Sequence, residues 1–243
     1  MVYLRTSIPT FLADSRALIY GVKADSFIKG RILPYNVDET RITEYVAIYD
    51  AAELAESKKS KEFGEQLEAS IIFERIFKEA EALFRKHRDF LKLLLKDDID
   101  KQKKLFLVGV PRAKKIADLL KHMREVYFRT LEHDEVVTGV ARYGITREDL
   151  ETGLQKVIEA MDAKEKHNRE KGDAEDATLL RDDAFEKLDD VVDELETILY
   201  YALEDRPQLL EKLGIPVLSP GYKRRTKSQE EQNPEPETPG EGT

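Results

Sequence analysis

Displacing the chain by 108 places lays residues 8–109 on 116–217 without a gap and returns 16 identities, where unrelated chains of this composition would give roughly six. A duplication of this size constrains the architecture before any motif does, because each copy must bury its apolar face in the same way. The identical positions are mostly apolar or turn-forming: Leu12 with Leu120, Tyr35 with Tyr143, Ala52 with Ala160, Gly64 with Gly172, Phe77 with Phe185 and Leu95 with Leu203. Conservative pairs such as Ile42 with Leu150 and Val46 with Leu154 lie between them. The match crosses loops as well as helices, which two amphipathic stretches slid into register do not readily produce.

Within each copy, apolar spacing and punctuation predict three helices. The first runs from about Pro9 to Leu33 and from Pro111 to about Val140, proline suiting an opening turn whose donor would be unpaired anyway. The second follows Asn36 or Gly144, takes Asp38 or Thr146 as its cap, and ends near Lys61 or Arg169. Gly64 and Gly172, each preceded by basic residues, then supply a left-handed turn where the chain reverses. The third helix carries a wide apolar stripe, from Ile72 to Leu95 and from Leu180 to Leu203. Such stripes are buried most simply in an up-down-up bundle. The expected fold is therefore all-α: a first three-helix unit over 7–110, a second over 111–217, and a disordered tail over 218–243. That tail passes from the basic run Lys223, Arg224, Arg225 and Lys227 into an end with three prolines and five glutamates among its last fifteen residues. It offers too little apolar area to offset the entropy of ordering.

Charge narrows the partners. Charged residues make up 37% of the chain and the net charge is −9, so nucleic-acid phosphates meet a repulsive average field, and nucleic acid is an unfavoured partner. Cysteine is absent, which excludes disulfides, a thiol nucleophile and thiolate metal sites, and is compatible with the cytoplasm as the expected location. The first residues lack the basic start and apolar run of a signal peptide. No stretch approaches the roughly 20 apolar residues of a bilayer span.

The chemistry-bearing residues form no reactive set. The histidines are His87, His122, His133 and His167, and the residues three before them are Phe84, Leu119, Thr130 and Lys164. None is a carboxylate, so the Glu-x-x-His pattern of di-iron bundles is missing. His87 aligns with Leu195 at the margin of the stripe and reads as a packed or partly exposed histidine rather than a ligand. There is no glycine-rich phosphate loop, no nucleophile elbow and no Ser, His, Asp set in a suggestive context. The sequence thus predicts no catalytic, cofactor-binding or metal residues, and a protein that is not an enzyme.

One pattern stands out between the copies. Arg75 aligns with Asp183, Lys78 with Glu186, Arg85 with Asp193, Lys86 with Glu194, Arg88 with Glu196 and Lys96 with Glu204, and Glu79 with Lys187 reverses the other way. Phe73 to Lys96 holds seven basic and four acidic residues, Arg181 to Glu204 two basic and nine acidic. These residues are the candidate interaction surface: opposite fields favour one register, either of copy one on copy two or of one molecule on the next in a head-to-tail array.

The stretch Leu179 to Val192, LLRDDAFEKLDDVV, with Arg, Asp and Phe at short helical spacing, resembles the repeat of an uncharacterised bacterial tandem helical-repeat family. It covers 14 residues of the second copy, and copy one departs from it with Phe73 and Glu74 in place of Arg181 and Asp182. The resemblance implies a helical-repeat fold and carries no activity. The expected function is a non-catalytic structural or interaction protein that self-associates or binds a protein partner. The alternative is an adaptor that binds a peptide or nucleic acid through its basic then acidic tail.

Overall fold

The computed structural model describes residues 7–108 and 115–217. Every regular element in them is helical: α1 (Ile8–Ala24), α2 (Ser26–Ile32), a 3-10 turn (Leu33–Tyr35), α3 (Glu39–Leu94), α4 (Ile99–Lys104), α5 (Ile116–Leu131), α6 (Asp134–Ala141), α7 (Arg147–Ala202) and α8 (Gln208–Lys212). Among the described residues no helix is long and apolar enough to cross a membrane. The tail over 218–243 and the helix start at Pro111 lie outside the described residues.

The elements depart from the expected three helices per copy, and the short helices α4 and α8 follow where none was expected. The first expected helix is two. Asp25 is extended, with φ −103° and ψ 108°, and its carboxylate accepts from the Phe27 and Ile28 amides to open α2, the geometry an N-cap aspartate favours. His133 takes the same extended conformation between α5 and α6. Conversely, the expected second and third helices are one, because α3 and α7 each run unbroken for 56 residues. Gly64 and Gly172 are helical, and the residues with positive φ among those described are Asn36, Phe106, Gly144 and Gly214. A lone glycine inside a helix costs about 1 kcal/mol against alanine, which flanking Lys, Glu, Gln and Ala residues with good helix propensity readily offset. Nothing crowds either position, since a Cβ there would meet no atom within 4 Å.

The starts of α3 and α7 are where the sequence places them. Asp38 accepts from the Arg41 amide at 2.9 Å. At α7, Thr146 Oγ1 accepts from the Asp149 amide at 3.2 Å while Asp149 Oδ2 accepts from the Thr146 amide at 2.8 Å, a reciprocal cap that satisfies two otherwise orphaned donors. The positive-φ residues fall in pairs 108 positions apart, Asn36 (61°) with Gly144 (76°) and Phe106 (56°) with Gly214 (83°). After α4 the Leu107 amide donates to Gln102 O, and after α8 the Ile215 amide donates to Leu210 O, each at 2.9 Å. These are the six-to-one bonds of a Schellman turn.

The chain divides into two compact units that do not follow the expected boundaries at 7–110 and 111–217. A terminal unit takes the described residues up to Asp50 together with those from Glu186 onward, and a central unit takes those of Ala51–Phe185. In the terminal unit Leu18, Ile19 and Val22 of α1, Ile28 and Ile32 of α2, Ile42 and Tyr49 of α3, and Leu195 and Leu199 of α7 are buried. Each such side chain contributes about 1.5 to 3 kcal/mol when removed from water. Arg31 Nε donates to Ala202 O at 2.8 Å. Lys212 binds Asp25 at 3.1 Å, and that hydrogen bond, aided by the Ile28 amide, lowers the Asp25 pKa. The central unit packs Phe84, Leu91 and Leu95 of α3 with Leu120, Met123 and Tyr127 of α5, Val136 and Val140 of α6, and Leu150 and Val157 of α7.

Candidate interaction surface

The sign-inverted residues sit on exposed helix faces and satisfy themselves mostly with near neighbours in sequence. Lys78 pairs with Glu74 at 3.8 Å, Arg85 with Glu81 at 2.7 Å, Arg88 with Asp89 at 2.9 Å and Lys96 with Asp97 at 3.9 Å. Arg75 and Lys86 are exposed, as are Asp183, Glu186, Asp193 and Glu204. Exposed pairs of this kind contribute about 0 to 1 kcal/mol each. Their net field therefore remains available to a partner.

Two of the acidic residues turn inward instead. Glu194 is half-buried and receives Arg41 and the Tyr45 hydroxyl, the latter at 2.8 Å. Burial first, and then the bond to this carboxylate, push the Tyr45 phenol up to about 12. Glu196 lines a cleft beside α1, and its pKa is raised by burial, then by Asp193 and Asp14. Six basic and six acidic residues predicted as one surface thus divide into an exposed set and a pair absorbed by the terminal unit.

Sequence reasoning missed an apolar stripe. Phe63, Leu67 and Ile71 are 57%, 54% and 62% exposed and recur at four-residue steps on one face of α3. The positions 108 later hold Lys171, Glu175 and Leu179, and Lys171 pairs with Glu175 at 3.5 Å. Comparing exposed residues between the copies, rather than charge alone, would have found it.

The central core also contains a polar pair. His87, only 2% exposed, has Nδ1 3.0 Å from the Tyr127 hydroxyl. Burial lowers the His87 pKa and raises that of Tyr127. The pair is reached by no open cleft among those described, and the remaining histidines are not gathered around it. His122 stacks edge-on against Phe84, and His167 lies flat on Phe73.

Three carboxylates that no single-helix pattern reveals also meet in the central unit. Glu62 and Glu65 of α3 and Glu170 of α7 place oxygens within 4.8 Å of one another. Lys61 lies 3.8 Å from Glu62 and 3.2 Å from Glu65, so a lysine already offsets part of their repulsion. Comparison with protein-family models, curated proteins and solved structures finds no match for this chain.

Proposed function

We propose that this chain is a non-catalytic structural or interaction protein, built from a duplicated helical unit, that works by associating with a second copy of itself. The carrying observation is the exposed stripe of Phe63, Leu67 and Ile71. At two of the three corresponding places on α7 a Lys171–Glu175 pair occupies the surface, so the fold does not need apolar groups at those two, while Leu179 at the third is itself exposed. Their persistence on α3 fits contact with another molecule. The charge pattern supports the same partner: the basic stretch from Arg75 to Lys96 on one copy complements the acidic stretch from Asp183 to Glu204 on another. Opposed fields of that kind set register and accelerate encounter more than they add affinity. Duplication is supported by the equal lengths of α3 and α7 and by positive-φ residues paired 108 apart.

Sedimentation velocity over a range of protein concentrations tests the proposal. The weight-average mass is expected to rise with concentration at low ionic strength, to fall back at high ionic strength, and to stay monomeric for Leu67→Lys. A mass that remains monomeric throughout overturns self-association.

A further inference from the structure

The terminal unit contains a cleft of about 130 Å³ between α1, α7 and the chain that leaves α8. Phe11 and Leu18 of α1, Val192 of α7 and Ile215 give it apolar walls. At its polar side stand Asp14 and Glu196, close enough for Asp14 to raise the Glu196 pKa. Ser15 also lines it and is 1% exposed. Its hydroxyl donates to Phe11 O at 2.7 Å, which leaves the oxygen lone pairs free to accept.

The corresponding place in the central unit carries different side chains. Shifting by 108 places Met123 where Ser15 stands, Phe84 where Val192 stands and Phe106 where Gly214 stands. Each replacement is larger. Phe84 and Met123 are buried at 3% and 0%, and Arg129 lies 4.3 Å over the Phe106 ring. The two acids are replaced by His122 and Arg88, and Arg88 is near enough to help lower the His122 pKa, after burial. Arg88 makes the central version cationic, while Asp14 and Glu196 make the terminal one anionic. Three reductions in volume and two changes of charge thus fall on one spot, while Phe11 and Leu18 stand where the central unit has the smaller Leu119 and Val126.

We propose that this cleft binds an aliphatic primary ammonium group, its short methylene stem against Phe11, Leu18 and Val192 and its nitrogen donating to Asp14, Glu196 and Ser15 Oγ. The volume lies well below the roughly 300 to 1,000 Å³ of pockets that take drug-sized ligands, and above the roughly 30 Å³ share of one water. A few heavy atoms fit. An ammonium carries three donors and no acceptor, matching a wall that offers acceptors. The stem takes the place that the buried Met123 and Phe84 side chains hold in the central unit. A free alkylamine and the lysine side chain of a protein share this chemistry, and the inference stands whether or not the molecule self-associates.

Amide NMR titrations of the full chain with n-butylammonium chloride, N-acetyl-lysine methylamide and n-butanol test it. Saturable shifts are expected at residues around Asp14, Val192 and Gly214 with the ammonium and not with the alcohol. The isosteric double variant Asp14→Asn, Glu196→Gln should weaken them roughly tenfold or more, since bonds to charged groups are lost. Val192→Phe should occlude the cleft. Binding of both amines assigns the site to a lysine side chain, and binding of butylammonium alone to a free amine. Absence of saturable shifts, equal response to n-butanol, or an undiminished response in the amide variant overturns the proposal.

Discussion

His87 and Tyr127 satisfy each other in a core that has no other use for two polar groups, and the fit is tight. A Cβ at Gly153 would overlap the Tyr127 hydroxyl, so α7 gives up a side chain there to admit the phenol. In the terminal unit the corresponding residues are Leu195, Ile19 and Tyr45, an arrangement with no imidazole. The consequence is a pH dependence. Burial holds the His87 pKa below its ordinary 6.5. As pH falls through 6.5, the unfolded chain takes up a proton that the folded chain resists, and stability drops. His122 shifts in the same direction for the same reason. The double variant His87→Leu, Tyr127→Phe removes both partners and leaves no orphaned group. Its melting temperature is expected to change little at neutral pH and to decline less steeply in acid. An unaltered acid slope would show that this histidine does not titrate with unfolding.

The long helices display what a sequence can and cannot specify. Asp38 and Thr146 were legible as caps because capping is local, settled by one side chain and amides two or three residues on. Gly64 and Gly172 were not legible, because glycine after lysines and glutamates suits either a helix end or a tolerated weak point. The helix-favouring residues on either side of each glycine select the second. Asp25 was missed for the opposite reason: apolar residues continue in helical spacing across it, hiding a cap inside the pattern. Gly64→Ala and Gly172→Ala discriminate between the two conformations. In a continuous helix with open space around the Cβ, each should stabilise by up to about 1 kcal/mol in denaturant melts. At a left-handed turn the same change would destabilise instead. The candidate surface was partly legible in the same sense. Charge reversal can be read from aligned positions, but which acids are exposed depends on neighbours such as Arg41 and Tyr45, which lie about 150 residues from Glu194.

At the level of the molecule, the two stretches that align in sequence are not the two compact units in space. The central core joins Phe84 and Leu91 of the first copy to Leu120, Met123 and Tyr127 of the second, so a boundary near residue 110 cuts through it. A fragment ending at residue 110 is therefore expected to lack a cooperative thermal transition and to expose apolar surface, read by calorimetry and by a dye that fluoresces on apolar surface. A sharp transition in that fragment would mean that the first copy folds by itself. The sequence could not foretell this division, because an internal repeat reports which segments are alike and not which of them touch.

Phe106 and Gly214 occupy the same turn in the two copies, one bearing a ring and the other none. The molecule therefore carries its own internal standard. Methyl signals from Met123 and Val192 can be followed in one tube, the first from beside Phe84 in the central core and the second from the cleft of the terminal unit. Solvent, temperature and salt would then affect both alike, while an entering amine would disturb only the second.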